Sequence, residues 1–433
     1  MMFVVASTMQ TFNLTALAEA LRVRRERLSQ LVDFPVILWS GRSSARNFPA
    51  NTYPFRVSSH FLYFAGSPLE NAAIRLEQGK LTLFMDDASP ASALWHGELP
   101  SRNAIADQIG ADAAYPLRDC ATVLVQDPAT RLEQAQMLNR EIKIAPHAEG
   151  IDLVLVNAIA TLRMSHDAAA IAELRQAATV SIQAHQAGMA VTRTAKTEAE
   201  VRAAIERVIM ANNMTTAYTS IVTVHGEVLH NNHYHHALQS GDLLLVDAGA
   251  ETAAGWAADI TRTWAVSGKF SPTQRAIYEV VLLAHDLCIA TMKPGIEYEA
   301  IHLTAARVIA EGLVDLGILR GNPTDLVEID AHALFFPHGI GHLLGLDVHD
   351  MEDFGDLAGY AEGRARSDRF GLGYLRLNRP LQAGMLVTIE PGFYQVPAIL
   401  NDRDRREKYR DVVNWDRLAE FSDVRGIRIE DDV

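Results

Sequence analysis

Apolar positions in the first 33 residues recur at helical spacing: Leu14, Leu17, Leu21, Leu28 and Leu31 share one stripe, and Asn13 precedes them as an N-cap. Short apolar runs follow at Val36-Ile37-Leu38-Trp39, Phe61-Leu62-Tyr63-Phe64, Ala72-Ala73-Ile74 and Leu81-Thr82-Leu83-Phe84. Turn formers such as Gln78-Gly79-Lys80 divide them. This pattern predicts a smaller α/β domain with a mixed sheet over residues 1–160. From Asp167 the helical period returns, with Ile171, Leu174, Ala178 and Ile182 in one row. Further helices are expected over about 198–211, 273–291 and 297–312, the last two separated by Lys293-Pro294-Gly295. Strands are expected at 220–224, 243–247, 260–266, 385–390 and 427–430. Residues 161–433 therefore read as a second domain, of α+β class.

A chain of 433 residues favours more than one domain. The net charge of −14 disfavours nucleic-acid binding, which needs a basic surface. Cys120 and Cys288 are the only cysteines and lie far apart, so a Cys-x-x-Cys zinc or dithiol site is excluded. They are expected to be buried thiols in a reducing compartment. Met1 to Thr8 lacks a basic region before a long apolar run, which predicts no signal peptide and a cytoplasmic location. No apolar stretch reaches the length of a membrane helix. The charge-dense segment 401–411 reads as a solvated loop or helix face.

Asp247, Asp259, His342, Glu390 and Glu430 carry metal chemistry. Four carboxylates and one imidazole form an oxygen-rich donor set that suits Mn²⁺, Co²⁺, Fe²⁺ or Zn²⁺. If the runs flanking the loop 248–258 pair as a hairpin, Asp247 and Asp259 meet across adjacent strands. Taken alone, the same two residues could be turn formers. His338, Ile340 and His342 would share one face of an extended segment. Glu390 ends an apolar run and is followed at once by Pro391-Gly392, so an acid there needs a partner. Glu430 shares a face with Arg428, and a simple surface pair is the plain alternative. His225, His233, His235 and His236 read as surface residues, although the cluster near 236 could hold an adventitious metal.

These segments resemble the pita-bread metallopeptidases, the family of methionine aminopeptidase, aminopeptidase P and prolidase. The resemblance runs from about residue 35 onward and is most specific at Pro337–Asp350 (PHGIGHLLGLDVHD), Leu381–Tyr394 (LQAGMLVTIEPGFY) and Gly426–Val433 (GIRIEDDV). It implies a pita-bread catalytic domain over 161–433, preceded by a creatinase-like domain that contributes to oligomerisation and to the site. Gly371–Pro380 (GLGYLRLNRP) and Trp95 resemble prolidase features, so the first expectation is an Xaa-Pro dipeptidase acting through a hydroxide bridging two metals. An aminopeptidase P acting on longer peptides is the alternative, and a non-catalytic binding relative is a second. The resemblance implies two divalent ions per subunit, manganese first. Asp247 would hold one, Asp259 and Glu430 would bridge, and His342 and Glu390 would hold the other. His230, His338 and His349 would orient the peptide, Glu390 would shuttle a proton, and Arg428 would support Glu430. Arg376 and Tyr394 would bind substrate, Arg376 at a terminal carboxylate. A homodimer is the family expectation. The interval between Asp247 and Asp259 is one residue longer than usual, which predicts a bulged hairpin. Relatives usually continue beyond the equivalent of Val433, which predicts a looser last strand.

Overall fold

A computed structural model describes residues 2–120 and 147–433, with side chains from residue 16 onward apart from 90, 91 and 93. The chain divides into two compact units, 1–171 with 351–358, and 172–350 with 359–433.

In the first unit the opening helix is Met2–Leu31. It runs through Asn13, which is therefore not its cap. Leu14 lies outside the residues whose side chains are described; Leu21 and Leu28 are buried, whereas Leu31 is exposed. A four-stranded sheet follows in the order Val36–Trp39, Ala73–Glu77, Lys80–Phe84, Ala113–Tyr115. Its first three strands are antiparallel and the last pair is parallel, a mixed sheet. Gln78 and Gly79, both at positive φ, close the central hairpin in the twist-matched turn that two-residue loops favour. The run 61–64 forms a helix, Ser59–Ala65, and not a strand. All seven of its residues are buried, so no alternation of faces marks it in the sequence.

The second unit begins its core with the helix Ala168–Thr192. Leu174, Ala177, Val180 and Ala184 form its buried row, whereas Ile171 and Ile182 are exposed, so the inward face is rotated from the row expected. Helix Glu198–Ala211 packs Val201, Ile205 and Ile209 against Val222, Leu244 and Val246 of a three-stranded antiparallel sheet. That sheet comprises Ile221–Thr223, Leu243–Asp247 and Thr261–Ala265. Helices Pro272–Thr291 and Tyr298–Asp315 flank the Lys293-Pro294-Gly295 stop, the first opened by a Ser271–Gln274 capping box.

The chain's last strands change partners as they advance. Gly426–Arg428 pairs with Gly392–Tyr394, Glu430 bridges to Thr261, and Asp431–Asp432 pairs with Thr388–Ile389. The expected strands 385–390 and 427–430 are consequently shorter than their apolar pattern suggests. Val433 and Val387 exchange backbone hydrogen bonds, so the final residues are tied to the ladder.

Candidate metal and substrate site

Asp247 ends its strand opposite Thr261, and the ladder runs without a register shift to Leu243 opposite Ala265. The extra residue of the interval therefore causes no bulge in the ladder. The loop absorbs it, with Ala250–Glu251 pairing Thr215–Thr216. Asp259 lies just before the return strand. The Tyr218 hydroxyl reaches both acids, at 2.6 Å from Asp247 and 2.5 Å from Asp259. Burial, then the charges of Asp247 and Asp259, keep this phenol well above its ordinary pKa, so it stays a donor. The sequence reading missed Tyr218, which precedes a short strand in no recognisable motif. Tyr218→Phe should lower metal affinity or turnover about 10–100-fold, as loss of a ligand-orienting partner does. Metal titration of the variant checks this, and unchanged affinity and rate would remove Tyr218 from the site.

His342 is placed by a close backbone approach. A β-carbon on Gly341 would lie 2.1 Å from the Thr388 carbonyl oxygen, so only glycine fits. The His342 Nδ1–H donates to the Leu343 carbonyl at 3.0 Å. That leaves the Nε2 lone pair facing Asp259 at 3.5 Å and Glu390 at 3.6 Å. His349 stacks on His342 with ring centroids 3.8 Å apart.

Arg428 and Glu430 are both buried, which removes the surface-pair alternative. Arg428 donates to Asp247 Oδ2 at 2.6 Å, Thr261 Oγ1 at 3.1 Å and the Tyr394 hydroxyl at 3.1 Å. Its Nε lies 3.8 Å from Glu430, whose carboxylate accepts from Thr261 Oγ1 at 2.6 Å. The Tyr394 hydroxyl in turn contacts His338 Nε2 at 2.9 Å. Burial, then the Arg428 charge, push His338 down to about 3, so it is neutral. Tyr394 is 0% exposed and lies between Arg428 and His338 as a strut. Strand pairing of 392–394 with 426–428 directs it inward.

A cavity of about 410 Å³ brings together Asp247, Asp259, His342, Glu390, Glu430 and Arg428. His230, His338, His349 and Arg376 line it too. Single donor atoms of Asp259, His342 and Glu430 lie within 4.8 Å of one another. Burial and mutual repulsion hold Asp259, Glu390 and Glu430 well above the ordinary carboxylate range. With Nδ1–H given to the Leu343 carbonyl, His342 turns Nε2 toward the clustered acids in the tautomer a metal ligand needs. The residues thus fit divalent metal by both tautomer and charge.

The same strain gives a pH dependence. These acids have folded pKa values raised above their unfolded ones, so the native state keeps protons that the unfolded chain has released. Their contribution is fully present below about pH 4 and is lost as pH rises toward the raised values. Metal-depleted protein should therefore lose Tm steadily from about pH 5 to 8, and added Mn²⁺ should flatten the trend. A chelated sample whose Tm holds constant or climbs over that range would contradict the strain.

Residues 172–433 match the family model for metallopeptidase family M24, and 21–133 match that for the aminopeptidase P N-terminal domain. A probable Xaa-Pro aminopeptidase of Tuber melanosporum is 32% identical over 410 residues, covering 93% of this chain and 87% of the relative. Its counterpart from Paracoccidioides lutzii is 33% identical, covering 88% and 83%. Among solved structures, Pseudomonas aeruginosa aminopeptidase PepP superposes with TM-score 0.77 at 28% identity, covering 96% of this chain and 92% of that one. Yersinia pestis proline aminopeptidase P II superposes with TM-score 0.72 at 27% identity, covering 96% and 93%. The pita-bread architecture, buried acid cluster and matches along nearly the whole chain lead to one conclusion: this protein belongs to metallopeptidase family M24, with an aminopeptidase P type N-terminal domain ahead of its catalytic domain.

Proposed function

We propose that the chain is a metal-dependent Xaa-Pro aminopeptidase, releasing the first residue of peptides that carry proline second. The convergence of the acid cluster with His230, His338 and His349 on one cavity carries this reading. A prolyl bond has no N–H for an ordinary protease to grip. Asp247, Asp259, His342, Glu390 and Glu430 would hold two divalent ions, manganese first by the hardness of the donors. Such ions, when bound, polarise the scissile carbonyl and supply a nucleophile at neutral pH. Glu390, at the edge of the metal site, would pass a proton to the departing proline nitrogen. His349 and His230 orient the peptide and donate to its carbonyl oxygen as charge develops; His338, whose Nδ1–H donates to the Gly339 carbonyl, lines the same wall beside Tyr394.

The dipeptidase expectation drawn from Gly371–Pro380 yields to this alternative, because relatives matched over most of the chain are named Xaa-Pro aminopeptidases. One observation favours dipeptides: Arg376 does line the cavity, where a guanidinium fork could bind a terminal carboxylate. Substrate length separates the readings. Wild-type protein with Mn²⁺ should cleave Xaa-Pro-Yaa at least as efficiently as Xaa-Pro, and Arg376→Ala should leave tripeptide cleavage within about threefold, as for an exposed charge. Exclusive dipeptide cleavage, with Arg376→Ala costing about 10²–10³-fold in kcat/KM, would favour the dipeptidase.

The proposal extends to a homodimer formed through the N-terminal domain, supported by Leu94 and Trp95, each 78% exposed there. A cytoplasmic setting is proposed from the free thiols Cys120 and Cys288. Among the described residues, no helix is long and apolar enough to cross a membrane.

A further inference from the structure

One wall of the cavity is the segment 371–377, which supplies Tyr374 and Arg376. It belongs to no helix or sheet; backbone turns to Arg369 and Leu372 shape it locally, and side chains from elsewhere fix it in place. His302, fully buried on helix Tyr298–Asp315, lies 2.8 Å from the Gly371 carbonyl oxygen through Nε2. A carbonyl only accepts, so the imidazole donates and its proton sits on Nε2. His332, 1% exposed, comes from the turn Ala331–Leu334 and lies against Gly371 on another side. A β-carbon at Gly371 would lie 2.9 Å from His332 Nε2 and 2.8 Å from Asp330 Oδ1. Asp330 also accepts from Arg369 at 2.8 Å, just ahead of Gly371. Further along, the Leu375 carbonyl accepts from the Tyr360 hydroxyl at 2.7 Å and from Arg366 at 3.1 Å.

Two buried imidazoles are an expensive way to fill space. Among the described residues, His302 Nδ1 and both His332 nitrogens have no hydrogen-bond partner. An unsatisfied buried polar atom is destabilising, and an aliphatic side chain would avoid it. Burial holds both rings neutral, His302 down to about 4 and His332 to about 3. Their common neighbour is Gly371.

We propose that His302 and His332 are positioning residues for the substrate wall. His302 sets the place of Gly371 by its hydrogen bond. His332 presents a surface that admits no side chain there. Together they hold segment 371–377 in the one arrangement that turns Tyr374 and Arg376 to the cavity. The kinetic half of this inference rests on the peptidase reading; the structural half does not.

The test has two arms. In hydrogen–deuterium exchange, His302→Ala should raise exchange across 371–377 while leaving metal content unchanged. In kinetics, it should raise KM for Xaa-Pro-Yaa about tenfold with kcat within about twofold, the scale of one lost hydrogen bond. His302→Gln, which retains a donor, should recover part of the loss. Gly371→Ala should raise KM likewise, and His332→Ala added to it should relieve part of the defect, with Asp330 Oδ1 still in place, a coupling a general folding fault would not show. Unchanged exchange across 371–377 in His302→Ala would overturn the inference. So would a Gly371→Ala defect that His332→Ala leaves untouched, or a loss confined to kcat. If wild-type protein cleaves no Xaa-Pro peptide, the peptidase reading fails, and the exchange arm still decides whether His302 anchors the segment.

Discussion

Asp259→Asn and Glu430→Gln should each strip metal from the protein and lower peptidase activity about 10³–10⁴-fold, the scale on which metal polarisation of a carbonyl acts. Both substitutions keep shape and an acceptor oxygen while removing charge. The amide introduced at position 259 can still accept from Tyr218, and the one at position 430 from Thr261, so local hydrogen bonding survives. What disappears is the negative charge a cation needs. The same change should have the opposite effect without metal. Asp259 and Glu430 are pushed well above the usual range by burial and mutual repulsion, so a neutral amide relieves the metal-free protein. Chelated Asp259→Asn should melt above chelated wild type at pH 8, and below wild type once Mn²⁺ is added. Elemental analysis, activity and two melting curves decide it. Wild-type metal content and activity in either variant would refute the assignment.

His349→Ala should reduce turnover about 10²–10³-fold, the cost of one positioned donor to a developing oxyanion, without loss of metal. The stacking of His349 on His342 leaves His342 Nε2 to the acids and places His349 in the cavity wall. His338→Ala should also lower turnover without loss of metal, because it removes the ring that the Tyr394 hydroxyl contacts at 2.9 Å in the cavity wall. Full activity in His349→Ala would exclude it from the reaction. Loss of metal would make it a ligand.

Much of the architecture is legible in local pattern. The Gln78-Gly79 turn, the Ser271-Pro272 helix start and the Lys293-Pro294-Gly295 stop are set by backbone preferences that need no distant partner. Alternation and apolar runs likewise mark strands 243–247 and 261–265, whose pairing follows from chain proximity. The run 61–64 defeated this reading because a fully buried helix loses its 3.6-residue signature just as a buried strand loses alternation. The helix 168–192 drifted for a related reason: alanine-rich helices offer several candidate faces, and packing chooses among them.

By itself the sequence determined which donors were available: acids and histidines in glycine- and proline-marked contexts, where segment ends favour function. The tertiary structure decided how they meet. Glu430 reaches the acid cluster because the last strands take three partners in succession, 392–394, Thr261 and 388–389, which no local period encodes. Tyr394 became a strut because its strand turns it inward, and Tyr218 joined the acids across 29 and 41 residues of separation. Gly371 lies against His302 and His332 through contacts equally remote in sequence. Propensity and pattern act over a few residues, whereas the potential of a buried carboxylate is set by every charge within several ångströms, wherever in the chain it originates.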